Sequence, residues 1–591
     1  MSDRWAVSLA VAAVLGALAG WDPSVWIVVA AVAAAAVMRR PSVWAIAVFL
    51  CASGLSARAE AGLIPPRPAP FDGWVTLISD PEAGRFDVHA DVRVADGRHL
   101  QAVAASASAR EALSALQAGQ RMRVIGRTEH SPPGADWLTI RHVAGLLAVD
   151  GITARDAGAP WMQTANALRN VLARGAEALP ARQRSLFLGF VLGDTRGQPV
   201  DITDDFRGSG LSHLLAVSGQ NVAFMLALAG PFLRRIGLRA RLPATLAVIG
   251  FFALVTRFEP SVLRASVMAA LAVTAASLGR DASSARLLAL AVAGLVLVDP
   301  FLVHSVGFQL SVGACIGIAL LSAPIARVLP GPRALAESLS VSLAAQAGVA
   351  PVLIAMFGGV PVAGVPANLL AAPVEGPVMV WGLGAGVFAG LFGGRAAAIL
   401  HWPTSVMIGW IAGVAHRFAS LPLGELGTRE LVLIALAALV AAAAHHAGLI
   451  GVRRAGIAMI AVAAIAPAVE LRSVPPVRAS PTAGATLWRA GATVLELDGR
   501  VDAAQLLEAL RRAGVTSIDV VVEHSSATVI VDSVAALRRR YSLGRVITPS
   551  TIRAPMSIAI GGLRIELGSV SGHLTVDVST ELAAGARAPP V

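Results

Sequence analysis

Long apolar runs broken by short polar stretches dominate the chain, and their spacing predicts membrane helices. Three runs open it, roughly Trp5–Ala19, Ser24–Met38 and Val43–Leu55, short and rich in alanine, which predicts close-packed helices. The period then changes. In "RFDVHADVRV" the residues Phe86, Val88, Ala90, Val92 and Val94 alternate with polar positions, the signature of a half-buried strand. "WVTLI", "QRMRVIGRTEH" and "DWLTIRHV" read as further strands, with a short helical "AREALSALQ" between them. Several short strands with Gly and Pro turns predict a small OB-like β-barrel over 71–152. Trp161 to Leu179 has the period of an amphipathic helix at the membrane surface, with Arg169, Arg174 and Arg182 along or near it. From Gly210 to Ala468 about ten apolar segments follow. The last stretch, 472–591, returns to a strand, helix, strand pattern in "ATVLELDGR", "AAQLLEALRRAGV" and "IDVVVEHS".

The fold class is therefore a polytopic α-helical membrane protein of about 12–13 apolar helices, carrying an OB-like β-barrel domain and a small α/β C-terminal domain. The expected parts are 1–58 N-terminal helices, 71–152 the β domain, 160–208 interfacial helices, 210–468 the main membrane domain, and 472–591 the α/β domain. Arginine sets the topology. Arg4, the Arg39–Arg40 pair, Arg234, Arg235, Arg239 and Arg241, then Arg280 and Arg286, then Arg327 and Arg333, mark one side. Arginine-poor loops such as "RFEPS" and "DPFLVHS" alternate with them. Arg395 and Arg453–Arg454 keep this phase if "VPVAGVPANLLAAPV" is a broken or re-entrant segment, as Pro361, Pro366, Pro373 and Asn368 suggest. With the arginines in the cytoplasm, the β domain and the C-terminal domain are expected outside. "GLGAGVFAG" spaces Gly382, Gly386 and Gly390 four apart, a face for close helix packing.

Composition agrees. The chain is 55% hydrophobic and 14% charged, with a mean hydropathy of +0.69. Its net charge is +11 and all 48 basic residues are arginine. Without lysine there is no P-loop, so any work against a gradient draws its energy elsewhere. The two cysteines, Cys51 and Cys315, lie far apart in apolar segments and suggest neither a disulfide framework nor a metal site. The first 20 residues resemble a signal peptide, but two apolar segments follow at once, so they read as an uncleaved first helix.

Candidate chemistry lies in polar islands inside the apolar segments. "GLSHLLAVSGQNVAFM" carries Ser212, His213, Ser218, Gln220 and Asn221. On a continuous helix His213 and Gln220 would lie about 20° apart and Asn221 about 80° from His213. Ser218–Gly219 would instead interrupt the helix and bare carbonyl groups. Further islands are Glu259 and Arg264 in "EPSVLRASVMA", Gln309 and Ser311 in "GFQLSVGACIG", Gln346 in "SLAAQAGVAP" and Asn368 in "VPANLLAAP". Polar groups in hydrocarbon need partners or water, so these residues mark either a wet path or helix-to-helix hydrogen bonds. A serine hydrolase is disfavoured, because "AVSGQ" lacks the GxSxG elbow. His445–His446 are adjacent, so they face apart and read as a helix end rather than a metal pair.

"GLSHLLAVSGQNVAF", "FEPSVLRASVMAAL", "DPFLVHSVGFQLSVGACIGI" and "FGGVPVAGVPANLLAAPV" together resemble the successive signatures of the ComEC-type competence channel. The resemblance implies a channel in the cytoplasmic membrane that carries single-stranded DNA inward during transformation. Asn221 stands where the family often has His, which implies a hydrogen-bonding rather than an ionisable group there. An external DNA receptor and a cytoplasmic ATPase are the partners so implied, besides the lipid bilayer, with a homo-oligomer left open; a small-solute or lipid transporter and a membrane-tethered hydrolase are the alternatives. The family also implies a C-terminal metallo-β-lactamase-like nuclease, whose two metals need His-x-His-x-Asp-His. "IDVVVEHSSATVIVD", Ile518 to Asp532, offers His524 followed by Ser525 and Ser526. The expectation is a degenerate domain with no metal, no cofactor and no catalytic residue.

Overall fold

The computed structural model describes residues 2–580 except 85, 216, 473–476, 499–500, 526, 553 and 571–572. In chain order, α1 (Asp3–Ala19), α2 (Val25–Met38) and α3 (Pro41–Ala61) precede a β domain. That domain holds β1 (Ala69–Leu77), β2 (Glu82–Ala83), β3 (Val88–Val94), β4 (His99–Ala104), α4 (Ala107–Ser114), β5 (Arg121–Glu129), α5 (Asp136–Ile140) and β6 (Val143–Asp156). Four short helices follow: α6 (Pro160–Ala176), α7 (Ala181–Leu192), α8 (Val200–Gly208) and α9 (Ser212–Leu215). The main helical series is α10 (Gln220–Leu233), α11 (Leu238–Val255), α12 (Pro260–Ser277), α13 (Ser284–Val298), α14 (Val306–Val328) and α15 (Arg333–Phe357). After β7 (Val360–Pro361) come α16 (Gly364–Phe392), α17 (Gly394–Ser420), β8 (Glu425–Leu426), α18 (Thr428–His446) and α19 (Ile450–Arg472). The C-terminal part is β9 (Arg478–Thr482), β10 (Ala485–Arg489), β11 (Thr493–Leu497), α20 (Ala503–Arg512), β12 (Ser517–Glu523), α21 (Thr528–Arg540) and β13 (Ser542–Ile547), then the hairpins of β14 (Met556–Ile560), β15 (Leu563–Val570) and β16 (His573–Thr580).

Among the described residues eight helices are long and apolar enough to cross a membrane, and α2, α10 and α13 are shorter apolar companions. The chain is a multi-pass membrane protein. It divides into two compact units, one of 1–197, 213–352 and 372–408, the other of 198–212, 353–371 and 409–591.

In the first unit, small residues let helices approach closely. Ala6, Ala10, Ala13 and Ala17 of α1 share a core with Leu288, Val292 and Val296 of α13 and with Phe308. Asp3 pairs with Arg286 at 2.8 Å beside that core. The glycine face of α16 meets α6 and α7. A Cβ on Gly390 would strike the carbonyl of Val171, and one on Gly382 would come 2.9 Å from Phe187. The β domain buries Val75, Leu77, Val92, Leu100, Met122, Val124 and Leu147. Its strands pair in the order β1-β5-β6-β4-β3-β2, with β1 also pairing β3, and β4 runs parallel to β6. Val88, Ala90, Val92 and Val94 point inward as their alternation predicts, whereas Phe86 lies before β3 and is 72% exposed. "DWLTIRHV" is no strand at its start. Asp136–Ile140 forms α5, and the strand begins at Val143.

A charged junction ties the β domain to the helices. Arg169 of α6 donates to Asp80 at 2.9 Å and to the carbonyls of Leu192 and Val255 at 3.2 and 2.9 Å. Arg257 donates to Asp80 at 2.8 Å and to Asn166 at 2.7 Å, while Arg196 holds Asp194. Arg169 is only 4% exposed. Arg169 is thus not a solvent-facing arginine: α6 buries it against the β domain, because Asp80 and Asp194 neutralise it there. At a second contact His142 meets Asp299 at 2.9 Å and packs on Phe301.

In the second unit, β9 to β13 form a mixed five-stranded sheet in the order β13-β12-β11-β10-β9, with α20 and α21 supplying Leu506, Leu507, Leu510, Ile530 and Leu537 to its core. Arg511 and Arg540 anchor this layer on α8. Arg511 reaches Asp204 at 3.2 Å and Glu425 at 2.8 Å, and Arg540 reaches Asp205 at 3.0 Å.

"VPVAGVPANLLAAPV" is neither broken nor re-entrant. After the two-residue β7 it enters α16, a helix of 29 residues that contains Pro373 and Pro377. At 1.5 Å per residue it extends about 44 Å, more than a hydrocarbon core of about 30 Å, and internal prolines are tolerated in such helices. The arginine-bearing connections α14–α15, α16–α17 and α18–α19 alternate without any re-entrant segment.

Candidate functional site

The apolar sequence from Gly210 fails to make one helix. Leu215 ends α9, and α10 starts only at Gln220, with Gly219 at its N-cap and no side chain capping it. Asn221 is 3% exposed and donates from Nδ2 to the carbonyl of Phe190 at 2.9 Å. Its Oδ1 faces Ser218, whose Oγ lies 3.1 Å away. The same Oγ lies 3.3 Å from Oε1 of Glu375 on α16. Gly376, next along, leaves room for the ring of Phe224 on α10, which a Cβ would meet at 3.0 Å.

On its other flank the interruption meets α12. Ser261 donates to the carbonyl of Val217 at 2.8 Å. Arg264, 7% exposed, donates to Ser311 of α14 at 2.8 Å and lies 3.1 Å from the sulfur of Met268. Its Nη2 is 2.9 Å from where a Cβ on Gly219 would sit. Among the described residues no carboxylate stands within ion-pair distance of Arg264. Arg264 is therefore buried and turned toward the interruption. Glu259 holds the N-cap position of α12, and Gly193 lies against both it and Val217.

Of the polar islands, the first unit thus gathers Ser218, Asn221, Arg264 and Ser311 around one interruption, with Glu259 beside it. Gln220 starts α10 on an exposed face, and His213 is exposed in α9. Gln309 spends its amide on the carbonyl of Val303 at 2.7 Å, a helix-start contact. Gln346 is half-buried in the middle of α15. Ser212, exposed, and Asn368, half-buried near the start of α16, belong to the second unit. Sequence reasoning missed Glu375. The signal was available, because it is the one ionisable residue in the 29 of α16. His401 was missed as well. It is 1% exposed in α17 and packs edge-on against Phe187 at 5.2 Å.

In the α/β domain, His524 follows β12 and its amide donates to the carbonyl of Leu497 at 3.0 Å. Burial pushes its imidazole below the ordinary histidine range. Ser526 lies outside the described residues.

An uncapped helix start, a buried guanidinium and a half-buried carboxylate within a bundle of apolar helices define a membrane protein with a polar site among its helices. Residues 190–452, which contain that whole arrangement, match the Competence protein family. Over that span the chain is similar to competence proteins of the ComEC type. It is 24% identical over 328 residues to ComE operon protein 3 of Bacillus subtilis (strain 168), covering 54% of this chain and 42% of that protein. It is 27% identical over 208 residues to Uncharacterized protein YcaI of Escherichia coli (strain K12), covering 33% and 28%. The chain thus matches less than half the length of either curated relative. No solved structure matches it.

Proposed function

We propose that this protein acts in DNA uptake, as the channel through which single-stranded DNA crosses the cytoplasmic membrane during natural transformation. One observation carries the reading: the competence-family match spans the residues that bring Ser218, Asn221, Arg264, Ser311 and Glu375 together. A strand with one charge per nucleotide needs a wet path with hydrogen-bonding groups and a cation, and this interruption supplies the hydrogen-bonding groups and the cation.

The β domain is an OB-type barrel in this reading. The ring of pairings through β1, β5, β6, β4 and β3, the parallel β4–β6 pair and α4 between β4 and β5 all support it. It and the α/β domain stand outside the membrane, as the arginine bias supports. The α/β domain is a metal-free relative of the metallo-β-lactamase-like nucleases, without enzymatic activity, because Ser525 and Ser526 replace metal ligands after His524. A DNA receptor outside, an ATPase in the cytoplasm and a second copy of the chain are the partners such a channel would use.

The test is import of labelled DNA into the cytoplasm, scored as resistance to added nuclease, in wild type, a deletion, His213→Ala and Asn221→Ala. The deletion should abolish import and Asn221→Ala should cut it about tenfold at equal membrane levels. Wild-type import in the deletion would end the DNA reading and favour small-solute transport.

A further inference from the structure

We infer that Ser218, Asn221 and Glu375 form a binding site for a monovalent cation, either a proton or Na⁺. Three oxygens converge there: Ser218 Oγ, Asn221 Oδ1 at 3.1 Å and Glu375 Oε1 at 3.3 Å from it. The amide of Asn221 cannot be turned round. Its Nδ2 donates to the carbonyl of Phe190 at 2.9 Å, and the reverse orientation would set two acceptors against each other. The amide oxygen is therefore fixed toward Ser218. A hydroxyl owns one hydrogen, so it can satisfy either the amide oxygen or the carboxylate, not both. The corner has one acceptor too many and one positive charge too few.

Neighbouring groups do not supply that charge. On α12, Arg264 faces Gly219 and spends its Nε on Ser311, and among the described residues it makes no ion pair with Glu375. Glu259, at the start of α12, adds negative charge beside Val217. On α10 the neighbour of Gly376 is the ring of Phe224. Glu375 also lies between Pro373 and Pro377. Pro377 has no N–H to donate to the carbonyl of Pro373, so the usual helix bond between them is missing in the same turn.

Oxygen ligands with one carboxylate suit a small hard cation of single charge, whereas divalent sites of all-protein ligands gather several carboxylates. An interrupted membrane helix opposite a carboxylate is a physically suitable place for Na⁺ or a proton. Occupancy would join α16 to the interruption before α10; an empty site would leave a bare carboxylate that pushes them apart. The site itself does not depend on DNA being the cargo.

The purified full chain in detergent decides it in two arms. The first measures binding of radiolabelled Na⁺ to wild type, Glu375→Gln and Ser218→Ala. The second records infrared difference spectra after a pH step and follows the C=O stretch of a protonated carboxyl. Saturable Na⁺ binding weakened about tenfold or more in both variants identifies Na⁺. A pH-dependent carboxyl band absent from Glu375→Gln identifies the proton. If neither arm separates wild type from Glu375→Gln, the inference is overturned. Should Glu375→Gln unfold, Ser218→Ala keeps the charge and removes a ligand oxygen, so unaltered Na⁺ binding and an unaltered carboxyl band in that variant overturn it equally. DNA import plays no part in either readout, so failure of the DNA reading leaves this result standing.

Discussion

The charged junction beneath the β domain and the polar corner inside the helices both put arginine and a carboxylate out of water, yet they settle their charges in opposite ways. At the junction Arg169, Arg196 and Arg257 share Asp80 and Asp194, and carbonyl groups take up further donors. In the corner Arg264 has a hydroxyl and a thioether, and Glu375 has one hydroxyl. A buried network whose charges are paired fixes one geometry and is costly to break, while a charge out of water lacking its counter-charge raises the energy of the folded state until something arrives to compensate it. The junction reads as architecture and the corner as a place of work.

The largest effect should follow from breaking the junction. Arg169→Ala takes the most buried guanidinium away from Asp80 and Asp194 and leaves two carbonyls without that donor, at a cost of about 3–5 kcal/mol. The unfolding temperature in detergent and the level in membranes should both fall sharply; near-normal values would mean that Arg257 and Arg196 carry the junction alone. Acid should loosen the same place less severely. Burial works to raise the Asp80 carboxyl, but Arg169 and Arg257 outweigh it and hold it down at about 2. A carboxyl depressed in the folded state lends stability above its unfolded value near 3.8 and loses it as pH falls toward 2. The contribution is roughly 2 kcal/mol, absent in Asp80→Asn, whose stability should vary less over that window. The smallest stability effect belongs to the corner. Arg264→Gln removes an uncompensated charge and should shift stability by no more than about 1 kcal/mol. Under the proposed function it should still cut DNA import. A large loss of stability there would erase the contrast.

Hydropathy and alternation made most of the helices, strands and the glycine face of α16 legible, since each depends on a local period. Contacts between distant segments were not legible. Ser218 and Glu375 stand 157 residues apart, and nothing local announces their meeting. Arg169 misled for a related reason: an arginine on an amphipathic helix reads as solvent-facing unless its distant acids are known. The prolines of α16 suggested a broken segment because they weaken helices in water, whereas α16 accommodates them within one long helix.

The alanine face of α1 has a consequence for assembly in time. Ala6, Ala10, Ala13 and Ala17 find their cover on α13, and Asp3 finds Arg286, 283 residues later in the chain. During synthesis α1 can pack on α3, whose Ala52 and Val48 share that core, but the side that α13 covers meets lipid until Ser284–Val298 emerges. A chain stopped before Ser284 would keep the α1–α3 pair and lack the second half of its cover, so one part of that pairing is completed by a segment far along the chain.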